Sequence, residues 1–373
     1  MKKLLSSLGR NESGQGVLLA VLILLVLGGV VTVPLLDFMG TGLEAGRVHE
    51  IRTEEYYAAD AGVEEAIYWL PQLAENNGTA GPYADWNRTS PFDINGKTVN
   101  VAIEPVGIYF KITSTATSVD GRETTIVAYT GGLLSNAITS NGDVDLKPGE
   151  PKVNVTGDIM LNGELTPPDY EPNDGEVFHK LTMEWPDADD INSTCWNETK
   201  GGDSLGANID VTATASIGPA YRVGDLAIDN KGDPGATLTL SGSVYVSGDL
   251  NFKQAGQKNY TINLNNHTIY ADGKIDFPAE RCSLVGPGCI IARGDVNFQP
   301  AIVGEEFILV MSTEGFVWFK PQGAFYGSVA GNVEVDLQAG STLTWTEPPP
   351  DLWLVDLLRT ACMRILSWEI SLG

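Results

Sequence analysis

A short phrase recurs through the second half of this chain and restricts what the chain can fold into. It reads Gly, a polar residue, then apolar-x-apolar. It stands as GDVDL at Gly142, GDIML at Gly157, GDLAI at Gly224, GDLNF at Gly248, GKIDF at Gly273, GDVNF at Gly294 and GNVEV at Gly331, with GFVWF at Gly315 a looser copy. From Gly224 onward the steps are 24, 25, 21, 21 and 16 residues. A step of that size is one coil of a parallel β-solenoid. A β-sandwich would place turns every 8–12 residues or so, about half the spacing found here. Further short strands lie between the copies, such as TLTL at Thr237, YTINL at Tyr260 and the apolar run FILVMS at Phe307. The glycine permits the positive φ of a tight corner, and the aspartate can bond its own turn. The expected fold is therefore mainly β, with a right-handed β-helix-like solenoid over 136–347. Strands starting near 225, 249, 274, 295 and 316 should stack in parallel and in register, about 4.8 Å apart.

Other segments break that rhythm. Residues 164–222 carry Pro167-Pro168, acidic runs and Cys195-Trp196, and read as a loop inserted into the solenoid. Residues 72–135 hold alternating strands, VNVAI at Val99, IYFKI at Ile108 and TTIVAY at Thr124, divided by turns. They predict a small antiparallel sheet. Residues 348–373 follow three prolines and place Leu, Trp and Ile at helical spacing, which suits a segment capping the last coil.

At the other end, Val17 to Leu36 holds no charged residue over 20 positions. At about 1.5 Å per residue such a helix spans about 30 Å, the thickness of a bilayer core. Lys2, Lys3 and Arg10 precede it and Asp37 and Glu44 follow. That asymmetry puts the N-terminus in the cytoplasm and the bulk of the chain outside, as a single-pass membrane protein. A cleaved secretory signal has a shorter apolar core and a small-x-small site. An amphipathic stalk helix is expected over 43–70, closed by Pro71.

Two motifs flank the span. Gly14-Gln15-Gly16 separates the basic leader (1–16) from the apolar run. Some twenty residues beyond it comes YYAADAGVEEA, Tyr56 to Ala66. Together they resemble the N-terminal domain of PilX-type minor pilins, in the type IV pilus and type II secretion group. The resemblance covers residues 1–70. It implies cleavage by a prepilin-peptidase-like enzyme between Gly14 and Gln15, or after Gly16. It assigns Tyr57, Ala58, Ala59, Ala61, Gly62, Glu64 and Glu65 to the family motif, and other pilin-like subunits or pilus assembly machinery as partners. Major pilins carry a glutamate at the fifth mature position. Here that place holds Leu19 or Val21, depending on the cut. The departure favours a tip, priming or membrane-held component over a major subunit.

The formal net charge of -25 suits a soluble surface domain and repels nucleic acid. Seven N-x-S/T sequons beyond the span, at Asn77, Asn87, Asn154, Asn192, Asn197, Asn259 and Asn266, point to exposed loops. Cys282 and Cys289 flank the turn-rich SLVGPG, and a disulfide between them is expected outside the cytoplasm. Alternating oxygens at Asp169, Glu171, Asn173, Asp174 and Glu176 make a candidate calcium loop, though without the glycine and late glutamate of an EF-hand. His49, His179 and His267 stand in unlike contexts, and no nucleophile–base or metal-spacing motif appears. Asp225, Asp249, Asp276 and Asp295 form a ladder. Paired acids can cleave glycosides, but equivalent turn positions give like environments, whereas catalysis needs unlike ones. No catalytic residue is therefore named, and the chain is read as a non-enzyme. Two functions remain open. The leading one is a membrane-anchored, minor-pilin-like protein with a structural or adhesive solenoid head for a surface glycan or host ligand. The alternative is a tethered carbohydrate-active enzyme of β-helix type.

Overall fold

The computed structural model describes residues 15–75, 91–106, 109–179, 183, 185–230, 235–253, 259–278, 282–352, 358 and 364–372. Helix α1 runs unbroken from Gln15 to Glu75, 61 residues, about 90 Å long at 1.5 Å per residue. The expected span and stalk are thus one helix, and Pro71 does not close it. An interior proline costs one backbone hydrogen bond and crowds the turn before it, yet the helix continues a further turn, to Glu75. The described valines, leucines and isoleucine from Val17 to Leu36 are all exposed, and the helix is long and apolar enough to cross a membrane.

The last third of α1 packs on a five-stranded antiparallel sheet built from Phe92–Ile94, Lys97–Val106, Tyr109–Thr117, Glu123–Gly131 and Arg364–Leu372. Along Tyr109–Thr117 burial alternates residue by residue, so one face is committed to the core. Val99, Ile103, Phe110, Ile112, Ala116, Ile126 and Ala128 of that face meet Ala58, Ala59, Val63, Ala66 and Leu70 of the helix. The expected 72–135 sheet is present, with an addition from the C-terminus. Arg364–Leu372 does not cap the solenoid; it pairs with Glu123–Gly131 as the edge strand. Trp368 and Ile370 stand two apart, as on one face of a strand, with Ile365 beyond a register shift, and pairing with an open sheet edge makes the segment a strand.

The rest is a parallel β-solenoid of about nine turns with three faces. One face carries the repeated phrase: Leu226–Asp229, Leu250–Phe252, Ile275–Phe277, Val296–Phe298, Phe316–Phe319 and Glu334–Leu337 pair in parallel and in register. The strands expected near 225, 249, 274, 295 and 316 are these. Inside, Phe252, Phe277, Phe298 and Phe319 form an aromatic ladder, with ring centroids 3.6, 5.8 and 5.4 Å apart.

Stack order differs from chain order. The first strands made, Ile138–Ser140 and Asp143–Leu146, pair with the last, Ala324–Gly331 and Glu334–Leu337. From that seam the early chain winds outward through Ile159–Leu161 to Val177–His179. It then starts again at the opposite end, at Asp203–Ser204, and winds back. Helix α2, Ala188–Thr199, lies between the two blocks in sequence and covers the outside of one wall. Its Ile191 and Cys195 join Tyr245, Tyr270, Cys289, Ile291, Leu309 and Met311 in a second, outer core. That is why the strands of this wall are apolar on both sides. The expected insertion at 164–222 is accordingly corrected. Leu165–Thr166, Val177–His179, Asn208–Asp210, Ala215–Ile217 and Ala220–Arg222 are solenoid strands, too short to show a repeat.

Candidate functional site

The pilin-like motif has a physical job in the helix–sheet contact. Ala58, Ala59, Gly62 and Ala66 recur at helical spacing and are buried. A Cβ on Gly62 would lie 2.2 Å from Ser114 Oγ and 2.9 Å from Val99 Cγ1. Only glycine lets the helix come so close. Just before the motif, Glu55 is 3% exposed; it accepts from Ser118 Oγ at 2.5 Å and from Thr124 Oγ1 at 3.4 Å. Ala61 and Glu65 are half-buried, while Tyr57 and Glu64 face solvent. Gly14 lies outside the described residues, and Gln15 begins α1.

The corner phrase is explained by contacts between coils. Asp225 Oδ1 accepts from Asp249 N at 3.0 Å, Asp249 Oδ1 from Lys274 N at 2.9 Å, and Asp143 Oδ1 from Glu164 N at 2.8 Å. Each aspartate thus bonds the next corner in the stack, and not its own turn. The glycine is needed for room. A Cβ on Gly248 would sit 2.4 Å from Asp225 Oδ1, and one on Gly273 2.3 Å from Asp249 Oδ1. Neither residue has positive φ, whereas Gly224 does. Asp276 is an outward strand residue that accepts from Asn297 Nδ2 at 2.7 Å, so it does not belong to the corner ladder. Gly157 is also misplaced by the phrase, since its strand lies on another wall, against Val177–His179.

Cys282 and Cys289 form no bridge. Cys282 sits on a strand of the third face and joins the inner core, while Cys289 sits on a strand of the neighbouring wall and joins the outer core. They are free thiols, as is Cys195. Burial pushes the Cys289 thiol up to about 12 and raises Cys282 and Cys195 as well.

The acidic loop Asp169–Glu176 is a further corner. Asn173 N donates to Val155 O at 2.8 Å, and Asn173 Nδ2 donates to Asn154 Oδ1 at 2.5 Å. Among the described residues no three His, Cys, Asp or Glu side chains gather as metal ligands. The loop divides: Asp174 and Glu176 line a cleft of about 610 Å³, while Asp169, Glu171 and Asn173 do not. The other walls are Tyr109, Ser135, Gly157, Asp158, Gly175, Phe178 and Trp345. Gly157, at φ +110, makes room for Trp345, whose Cβ would lie 2.7 Å from a Cβ there. Trp345 Nε1 donates to Leu134 O at 2.9 Å and fixes the ring. Glu176 N donates to Asp158 Oδ1 at 3.0 Å, repeating the corner bond. Asp158 belongs to a copy of the phrase, so the sequence carries a signal for it. Nothing in the sequence links Tyr109, Phe178 and Trp345, which come from three separate elements.

On the third face, Thr237, Thr261 and Ser283 make one outward column, and Thr239 and Asn263 another, all half-buried.

No protein-family model and no curated protein matches this chain. Among solved structures, an ice-binding protein with antifreeze activity (LeIBP) from an Arctic yeast aligns over 58% of this chain and 92% of its own, at 13% identity and a TM-score of 0.24. A likeness that faint carries no weight for function.

Proposed function

We propose that the chain is a membrane-anchored, minor-pilin-like extracytoplasmic protein whose β-solenoid serves as a structural or adhesive head in type IV pilus assembly or surface attachment. The reading rests most on the helix–sheet contact. Three of the residues that resemble the PilX-type motif, Ala58, Ala59 and Gly62, are small buried ones that let α1 lie on the sheet, so the small part of the motif and the packing have one cause. The exposed apolar run of α1 fits an anchor with the N-terminus in the cytoplasm. The polar columns of the third face, one of hydroxyls (Thr237, Thr261, Ser283) and one with Thr239 and Asn263, repeat about every 4.8 Å and suit attachment to an extended surface ligand. The net charge of -25 weighs against nucleic acid.

The head binds and does not catalyse. Asp225, Asp249 and Asp295 each accept a backbone N–H from the next corner, which gives them a structural role in like surroundings. The mass of the mature N-terminus in membrane fractions tests the anchor. Processing after Gly14 or Gly16 is expected. An intact leader on membrane-bound protein removes the pilin reading, and a soluble product lacking the apolar run removes the anchor.

A further inference from the structure

The cleft at the outer end of the early block has a lining with a chemical preference of its own. Its charged members are Asp158, Asp174 and Glu176, and no described lining residue is basic. A carboxylate at neutral pH only accepts hydrogen bonds. Ser135, the one hydroxyl on the solenoid side, already donates to Gly132 O at 2.7 Å. A ligand complementary to such a wall must bring donors and positive charge. The remaining wall is aromatic: Tyr109, Phe178 and Trp345. Aromatic faces attract ammonium and guanidinium groups and also cover the alkyl chains that carry them. Neutral sugars are recognised by mixed donors and acceptors, and here the balance is tilted to acceptors: against three carboxylates stand the Tyr109 phenol, the Ser135 hydroxyl and the Trp345 indole, the last two already bonded. Anionic sugars would meet three carboxylates. The volume of about 610 Å³ lies within the range of small-ligand pockets, and exceeds one amino-acid side chain.

The shape is built in, and does not wait for a ligand. Asp174 sits at φ +48, in the left-handed region, which aims its side chain from a tight corner. A Cβ on Gly175 would lie 2.3 Å from Gly157 C, so the two corners are stacked at contact. Trp345 is held by its indole hydrogen bond.

We infer that this cleft binds an organic cation, an aminoalkyl or guanidinoalkyl group, with the carboxylates of Asp158, Asp174 and Glu176 on its charge and the rings of Tyr109, Phe178 and Trp345 along its stem. The inference is independent of the pilin reading, since it uses only the solenoid end and the small sheet. The group has two sources, a free polyamine or a basic side chain of another protein.

The test is titration of the full-length chain in detergent micelles, followed by tryptophan fluorescence and calorimetry. The probes are spermidine and an acetylated Lys-Arg dipeptide amide, with maltotriose and Ca²⁺ as contrasts. Saturable binding of at least one cation is expected, and the tighter probe identifies the source. Asp174→Asn with Glu176→Gln should weaken it at least tenfold. Asparagine tolerates the left-handed backbone, and the melting temperature of each variant reports whether it is folded. Phe178→Leu should weaken it severalfold with the charges intact. Three results overturn the inference: no saturable cation binding, cation binding unchanged in the folded double variant, or maltotriose or Ca²⁺ binding at the site in place of both organic cations.

Discussion

The coils between Asp203 and Thr344 stack on neighbours made just before or after them, and so do those between Ile138 and His179; the seam that joins the two blocks does not, because there the first coil pairs with the last. From Asp225 to Phe319 each coil meets one made 21–25 residues before it, as in the bonds Asp249 N to Asp225, Lys274 N to Asp249 and Lys274 Nζ to Asp295. At the seam, Asn141 Nδ2 bonds Asn332 Oδ1 across 191 residues, and Ser328 Oγ bonds Asn136 O across 192. The local physics is the same on both sides: parallel register, buried apolar columns, corner aspartates. The difference lies in the loop that must close. Nearest-neighbour coils can grow one by one, whereas the seam forms only when a chain of that length has returned. The later block should therefore be the autonomous unit, and the early block should depend on it.

The strongest blow to the later block is Phe298→Ala. Its ring is fully buried and lies 5.4 Å from Phe319 and 5.8 Å from Phe277. A loss of about 3–5 kcal/mol in denaturant unfolding is expected, with the early block lost in the same transition. Survival of the early block alone would reverse the dependence.

Gly142→Ala attacks the seam. A Cβ there would stand 1.9 Å from Val333 O, backbone that cannot yield without opening the joint. A cost of about 1–3 kcal/mol is expected. Hydrogen exchange should quicken over 138–161 more than over 226–319, and equal quickening would show one cooperative unit.

A smaller effect attends Asp249→Ala, which leaves Lys274 N without its acceptor at 2.9 Å. About 0.5–1.5 kcal/mol is expected from thermal unfolding. No change would mean that water serves the corner equally well.

The smallest concerns the clamp on α2. Arg293 bonds Glu314 at 2.8 Å and Asp189, near the start of α2, at 2.9 Å. The hydrogen bond from Arg293 holds the Glu314 carboxyl below its ordinary value of 4.5. A depressed pKa stabilises the fold above the unfolded-state value, and the gain disappears as pH falls through the folded-state one. Glu314 is largely exposed, so Glu314→Gln should cost at most about 1 kcal/mol at pH 7. The difference from the parent should vanish in acid. A difference that grows in acid contradicts the assignment.

The sequence was most readable where a coil leaves a mark on it. The phrase from Gly224 to Val335 located six strands of one wall because the corner needs glycine and the inner column needs apolar residues at fixed offsets. It misled on mechanism, since the reason for Gly248 is the neighbouring carboxylate and not its own φ. The strands of 165–179 and of 203–222 were hidden by their length; two or three residues cannot display a period. The seam left no mark, because stacking on a coil made much earlier looks like stacking on the previous one. The edge strand Arg364–Leu372 passed for a helix, since only the partner across the sheet decides it. At the cleft, the acids stood in recognisable corners, while the aromatic wall is assembled from distant segments by the fold alone.

The order of the stack is tested most directly by a covalent link across the seam. Asp145 and Asp336 are register partners on adjacent parallel strands, so their Cα atoms lie about 4.8 Å apart, within the range that a disulfide spans. In the variant carrying Asp145→Cys and Asp336→Cys, mild oxidation should join these two positions in nearly every molecule, as read by peptide mapping, without lowering the melting temperature. A folded variant in which the two introduced thiols stay free, or in which the early coils link elsewhere, would contradict the winding described for this chain.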